Sequence, residues 1–334
     1  MNSPRLTRRS PIQRLIKMTA TAAVLAVASF TTPAFAEFPE RPITLVVPFP
    51  AGGAVDTLGR IFADSISTQT GQSVIVENRG GANGSIGTEA VVRSAPDGYT
   101  LLIAANGMAT NPVINPKRSF NETTDLAPVA YVGHAPLILV VGGESQYNSF
   151  EQLIDAAKKQ SEAISYATSG AGSAPHFASE LLAITTGTEL LHVPYKGGSP
   201  AKLDLVTGRV SFMFLNPLEV FPQVEAGKLK ALAVDSDQRL SQLPDVPTTT
   251  ELGYPDLEAK VWWGFSVPAK TPQDIIEKLN GYINTALKDP KVLAQLEKMA
   301  VEPGGGSVAD FKTFYDGQVK KWTEVAKQAN LVTN

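Results

Sequence analysis

Residues 43–66 read ITLVVPFPAGGAVDTLGRIFADSI. Ile43 to Val47 is a continuous apolar run closed by Pro48, the pattern of a buried strand, and Val55, Leu58, Phe62 and Ile66 then recur at the three- and four-residue intervals of a helix. Between them lie the glycines that a tight strand-to-helix turn demands. This strand, loop and helix form the repeating unit of an α/β fold, and the unit recurs downstream. Val74 to Val76 predicts a strand, Ser85 to Arg93 a short helix, and Tyr99 to Ala104 a strand. A second series has strands at Ile164 to Ala167, Leu191 to Val193, Ser211 to Leu215 and Leu229 to Val234, with helical patterns between them. Spacers of that length predict βαβ units and parallel sheet.

Two places break the alternation. The apolar run Val129 to Val141 is long for one strand of a single sheet, and the Pro- and Thr-rich stretch Leu243 to Pro255 interrupts the pattern before Trp262 to Val267. These predict paired crossovers between a first domain, residues 37–137 with 264–334, and an inserted second domain, residues 138–263. At the C-terminus, Ile275 to Leu287, Lys291 to Met299 and Phe311 to Ala329 have helical spacing, with Pro272 and Pro290 near the starts, and are expected to pack on the first domain. Two α/β domains joined by two crossovers leave a cleft, the geometry of a hinged binding protein.

The composition narrows the chemistry. The chain has no cysteine, which excludes disulfides, thiolate metal sites and a cysteine nucleophile. Its N-terminus reads as a signal peptide: Arg5, Arg8, Arg9, Arg14 and Lys17 precede an apolar run from Met18 to Phe30 and a small-x-small site at Ala34-Phe35-Ala36. The apolar run falls short of the roughly 20 residues of a membrane span. Ser10-Pro11 after the arginine pair is a poor context for twin-arginine export, so the general secretory route is the expected one. Cleavage after Ala36 leaves 24 basic residues against 32 acids, a net charge of −8 for the exported chain. That balance argues against nucleic acid or an anionic membrane as partner.

Three glycine-rich loops each follow a predicted strand and precede a predicted helix: Pro48 to Asp56, Thr168 to His176, and Pro194 to Ser199. One such loop is explained by its turn alone. Three on the same edge of α/β sheets point to an anion held at helix N-termini, beyond the carboxyl ends of the strands. Pro175 stands where the third glycine of a dinucleotide fingerprint would be, and neither a nucleophile elbow nor a phosphate loop is present, so no cofactor is expected. His134, His176 and His192 are not paired at metal-ligand spacing, so no metal is expected either. His176 either donates to a bound carboxylate or braces its loop, and His192 reads as a hydrogen-bonded strand residue. Asp56 reads as a helix-start acid that would also suit a ligand amino group. Of the adjacent Trp262 and Trp263, alternation puts one in the core and lets one face the cleft. Asn78 to Gly84 reads as a structural turn.

Together, Val46 to Arg60 (VVPFPAGGAVDTLGR), Val76 to Gly87 (VENRGGANGSIG), Ala95 to Leu102 (APDGYTLL), Tyr166 to His176, Val193 to Gly198 (VPYKGG), Leu243 to Gly253 and Trp262 to Thr271 resemble, in order, the Bug family. These are the TctC-type periplasmic substrate-binding receptors of tripartite tricarboxylate transporters. The resemblance implies a type II periplasmic-binding-protein fold that closes on a small carboxylate held between two facing loops by backbone amides, small hydroxyls and ordered water. On this chain those loops match Phe49, Ala51, Gly52, Gly53 and Asp56, and Gly170, Ala171, Gly172, Ser173 and His176 with the flanking Thr168 and Ser169. Tyr195, Lys196 and Gly197 match a segment beside the cleft, Asn106 and Gly107 a loop after the third strand, and Asn216 a position that reads the far end of the ligand.

The expected protein is therefore a monomeric receptor for a small organic carboxylate, without cofactor, that delivers it to membrane subunits of a transporter. Dicarboxylates, tricarboxylates, acidic amino acids and aromatic acids all fit, and bulky substitution of Gly53 or Gly172 is expected to abolish binding. Two rivals use the same residues: a sensor that presents the closed form to a kinase ectodomain, and a hydrolase with Ser173 and His176 as a catalytic pair.

Overall fold

The computed structural model describes residues 38–159 and 164–331; the signal peptide read over residues 1–36 lies outside them. Strand β1 (Ile43–Val47) leads through helix α1 (Ala54–Thr70) to β2 (Val74–Asn78), and a 3₁₀ turn (Ala82–Gly84) with α2 (Ser85–Val92) leads to β3 (Thr100–Ala105). Then come α3 (Gly107–Ile114), the single turn α4 (Glu122–Asp125) and β4 (Leu126–Ala135). The second series is β5 (Ile138–Gly142), α5 (Phe150–Lys159), β6 (Ser165–Thr168), α6 (Ala174–Thr186), β7 (Leu191–Pro194), α7 (Gly198–Val206), β8 (Phe212–Leu215), α8 (Pro217–Glu225) and β9 (Leu229–Val234). After an irregular segment follow β10 (Val261–Pro268), α9 (Gln273–Ala286), α10 (Pro290–Lys298), the short β11 (Glu302–Pro303) and α11 (Val308–Gln328).

The strands form two sheets, ordered β11-β4-β10-β3-β1-β2 and β7-β6-β8-β5-β9. Pairing is parallel where helical crossovers join neighbours, as in β1 with β2 and β3 and β6 with β7 and β8. It is antiparallel around β10 and β5, the strands by which the chain passes from one sheet to the other. The sheets are thus mixed, whereas the helical spacers predicted parallel ones. A strand that arrives from the other sheet is not tied to its neighbours by a helical crossover, which frees its direction.

The long apolar run divides at Pro136-Leu137 into β4 and β5, one in each sheet. Asp235, at the end of β9, ties this passage to the returning one: its N–H donates to Leu137 O at 2.8 Å, and its Oδ2 accepts the Ala259 N–H at 2.6 Å. Its Oδ1 has no partner, and burial pushes the carboxyl up to about 7.

The six-stranded sheet is covered on both faces, so β10 is buried along its whole length. Leu58, Phe62 and Ile66 form the buried stripe of α1, where the Phe62 ring meets Phe265 edge-on at 5.5 Å; burial of such a side chain stabilises by about 2–3 kcal/mol. Helix α1 stops at Gly71, whose φ of 69° lets its N–H return to Ser67 O. Helix α11 starts with a capping box of Ser307 and Asp310. It packs Phe311 and Phe314 on Trp262 of the first sheet, as expected, but also sets Trp322 edge-on against Phe177 of α6 at 5.3 Å, so it touches elements of both sheets.

Candidate functional site

The loop after β1 is shaped by a side chain one turn into its helix. Asp56 Oδ2 accepts the Gly52 N–H at 2.9 Å and the Arg60 Nε–H at 3.1 Å, and Oδ1 accepts from Asn78 Nδ2 at 2.9 Å. Burial would raise this carboxyl, but the hydrogen bonds from Arg60, Gly52 and Asn78 outweigh it and hold it below its ordinary value. The N-cap of α1 is Gly53, with no side chain to satisfy the first-turn N–H groups, which have no partner inside a helix. Asp56 is thus a brace whose acceptors are taken, and the donors above it stay available.

The loop after β6 is built differently. Ser173 Oγ donates to Gly170 O at 2.7 Å, Thr168 Oγ1 accepts the Gly170 N–H at 3.2 Å, and His176 Nδ1 accepts the Gly172 N–H at 3.1 Å. That last bond fixes the His176 proton on Nε2, which faces Glu180 Oε1 at 3.7 Å. Burial, with the nearby His192, pushes His176 down to about 3, and burial pushes His192 down to about 4, so both are neutral at pH 7. The His192 ring stacks on His176 at 4.0 Å, and its Nε2 lies 2.7 Å from Thr168 Oγ1. His176 therefore braces the loop. Ser173 and His176 each hydrogen-bond to backbone, not to one another, which does not match the nucleophile and base geometry of a hydrolase.

Elements of both sheets meet at this loop. Gly172 O accepts from Asn83 Nδ2 and from Thr110 Oγ1, each at 2.7 Å. Asn83 sits in the glycine-rich turn after β2 with φ 50° and ψ 41°, a left-handed conformation that Asn tolerates better than most residues. A Cβ added at Gly172 would lie 2.4 Å from Ile114 Cδ1.

Beside these bonds lies a cavity of about 480 Å³, lined from the first sheet by Phe49 to Val55, Asn83, Ala105 to Gly107, Val261 and Trp263, and from the second by Ser169, Ser173 to Pro175, Gly198, Ser199, Lys202, Asn216, Leu218, Glu219, Pro222 and Gln223. Of the residues singled out from sequence, the fold brings Phe49, Ala51, Gly52, Gly53, Asn106, Gly107, Ser169, Ser173 and Asn216 to its wall. Asp56, Thr168, Gly170, Gly172 and His176 stand behind the wall and shape the loops. Ala171 lines a separate groove with Ile86 and Ile114. Tyr195 directs its hydroxyl to Asp204 at 2.7 Å, Lys196 is exposed, and Gly197 is the N-cap of α7. Asn106 spends both ends of its amide on backbone, accepting from Trp262 N and donating to Lys260 O. Of the tryptophans, Trp262 is turned to α11 and Trp263 to the cavity.

Sequence reading missed Asn83, Lys202 and Glu219. Asn83 had a signal, an asparagine among glycines. Lys202 and Glu219 look like any surface charges on short helices. A larger hollow of about 870 Å³ lies elsewhere, lined by His134, Arg239, Lys260, Glu297 and Glu302 among others, but no glycine loop opens into it. Among the described residues no group of three or more His, Asp or Glu is placed to hold a metal ion, and no helix is long and apolar enough to cross a membrane.

Comparison with known proteins agrees with this architecture. The periplasmic binding protein BugD superposes with a TM-score of 0.81 at 34% identity, covering 89% of this chain and 100% of that one. The Rhodopseudomonas palustris protein Rpa4515, solved with adipate, gives 0.83 at 34% identity over 88% of this chain and 99% of that one. MatC from the same organism, solved with bound malate, gives 0.79 at 28% identity over 86% and 99%. Residues 58–331 match the family described as the tripartite tricarboxylate transporter family receptor, TctC. The chain belongs to this family of solute-binding receptors.

Proposed function

We propose that this receptor closes two lobes, residues 37–137 with 264–334 and residues 138–263, on a small organic carboxylate and presents it to membrane subunits of a tripartite tricarboxylate transporter. The observation that carries the reading is one cavity whose wall takes glycine-rich helix starts from both sheets. Backbone N–H groups at these starts, with the acid-free first turn of α6, favour an anion. Adipate and malate in two neighbours support a carboxylate as that anion. The assigned contacts are Phe49, Ala51, Gly52, Gly53, Asn106, Gly107, Ser169, Ser173 and Asn216.

Ligand stabilises the closed arrangement only by the excess of its affinity for that state over the open one. Gly172, bonded to Asn83 and Thr110, supplies part of the closed-state energy that the ligand supplements. In this reading the chain is exported, cleaved after Ala36, and works as a monomer in the periplasm. The test is a thermal-shift screen of ligand-stripped protein against mono-, di- and tricarboxylates, with their amides as controls. A ligand at a thousand times its Kd adds about 4 kcal/mol, a shift of several degrees. Stabilisation by carboxylates and not by amides is expected; equal response to both would sink the anion assignment.

A further inference from the structure

The wall formed by α7 and α8 is unlike the two glycine loops. Lys202 Nζ and Glu219 Oε1 stand 3.9 Å apart across it, with side chains 26% and 29% exposed, and both line the cavity. Among the described residues Lys202 is the single cation of the lining, and Glu219 offsets it. Asn216, the N-cap of α8, donates from Nδ2 to Glu219 Oε2 at 3.2 Å. That bond fixes the amide, because the reverse orientation would set its oxygen against the carboxylate. Asn216 Oδ1 and Trp263 Nε1 are both without a partner but buried, so neither atom faces the cavity. The wall thus presents to the cavity a donor, Lys202, and an acceptor, Glu219.

The helix ends are also unequal. The first turns of α1 and α8 contain an acid, Asp56 and Glu219, whereas those of α6 and α7 contain none. The positive potential of α8 is therefore met from within the protein, while that of α6 and α7 is left for a ligand. A second ligand carboxylate at α8 would offer acceptors only, give Glu219 nothing to accept, and face its like charge.

We propose that the ligand is a monocarboxylate whose other end carries an uncharged group that both donates and accepts hydrogen bonds, a hydroxyl or primary amide, docked between Lys202 and Glu219. Glu219 acts as the residue that excludes dicarboxylates. The inference rests on the carboxylate reading above and adds the chemistry of the second end. Dicarboxylates such as the adipate and malate of the two neighbours are then poor ligands for this chain.

The test is calorimetry at pH 7.5 with matched series of four to eight carbons, each skeleton supplied as the ω-hydroxy acid, the monoamide, the dicarboxylate and the plain alkyl acid, with para-substituted benzoates as an aromatic series. On the skeleton that binds best, the hydroxy acid or monoamide is expected to bind at least about tenfold tighter than the dicarboxylate. Glu219→Gln keeps an acceptor for Asn216 and should raise dicarboxylate affinity about tenfold while moving the hydroxy acid less than about threefold. Lys202→Met should lower dicarboxylate affinity further. A wild-type protein that prefers the dicarboxylate, or a preference that Glu219→Gln leaves unmoved, overturns this inference and leaves the carboxylate receptor standing. Binding by no carboxylate of any series overturns that receptor reading and this inference with it. If Glu219→Gln lacks a cooperative melt, the wild-type ratio and Lys202→Met still decide.

Discussion

The loops after β1 and β6 start from the same recipe, glycines between a strand end and a helix start, and come out with opposite properties. Ala51, Gly52 and Gly53 are exposed, and Asp56 braces the loop from within its own helix. Gly172, Ser173 and His176 are buried, and the Gly172 peptide is committed at both ends, its N–H to His176 and its carbonyl to Asn83 and Thr110. The first loop is a presented surface, and the second is a joint. On the proposed reading a glycine in the first serves the approach of a ligand, and a glycine in the second the approach of the protein itself.

The largest test of that contrast is Gly172→Val. Gly172 has φ +81°, and its added Cβ would meet Ile114 Cδ1 at 2.4 Å and Asn83 Nδ2 at 3.3 Å. Backbone strain of about 1–2 kcal/mol adds to that crowding, and together they should cost about 100-fold or more in carboxylate affinity. The melting temperature of each lobe should fall far less, because separating the sheets relieves the clash. Ile114→Ala added to Gly172→Val should restore part of the affinity by titration calorimetry. Wild-type binding by Gly172→Val would erase the distinction between the loops.

A smaller effect comes from the brace. His176→Phe leaves the buried Gly172 N–H without an acceptor, a cost of about 1–3 kcal/mol to stability. His176 also carries a pH signature. Its folded value, about 3, lies below the ordinary 6.5, so the unfolded chain binds more protons between those values. Its stabilisation is complete above pH 6.5 and is lost as pH falls towards 3. His192, at about 4, acts in the same direction. In urea melts, His176→Gln should flatten the decline of wild-type stability between pH 6.5 and 4; an unchanged slope would mean that His176 is not held neutral by its site.

Smaller again is Thr110→Val, which removes one of two donors to Gly172 O and leaves the Asn83 bond. One net hydrogen bond is worth about 1 kcal/mol, so carboxylate affinity should drop about fivefold. Adding Asn83→Ala should cost more than the sum, since the carbonyl then has no partner in the closed state. Strict additivity would show that the two bonds do not share that carbonyl.

These bonds also mark where the sequence stopped being readable. The strand-loop-helix units, a passage within Val129 to Val141 and the placing of the two tryptophans on different sides follow from periodicity and run length, and the structure has them. Gly52, Gly53, Ser169 and Ser173 could be named because they lie in glycine-rich loops at helix starts and match the family's loops, both local patterns. The division of His176 between ligand and loop could not be decided, since it depends on where the Gly172 N–H points. Lys202 and Glu219 were invisible for a stronger reason: they lie on different helices, and only the tertiary fold brings α7 and α8 together. Local chemistry is legible from spacing, whereas contacts across elements are not.

The smallest expected effect is the sharpest check on the first loop. Sequence reading gave Gly53 and Gly172 the same role, but a Cβ at Gly53 would meet no atom closer than Pro50 O at 3.9 Å, and its φ of −87° suits any residue. Gly53→Ala should therefore leave stability within about 0.5 kcal/mol of wild type. Gly52 has open space around its added Cβ but a φ of +85°, so Gly52→Ala should cost about 1 kcal/mol through backbone strain alone. Both variants still place a methyl group at the wall of the cavity, and any fall in affinity beyond the change in stability then measures how closely the ligand approaches that backbone. Equal losses at both positions would place the ligand against the loop, whereas a loss at Gly52 alone, matched by its stability cost, would move the anion towards α6 and α7.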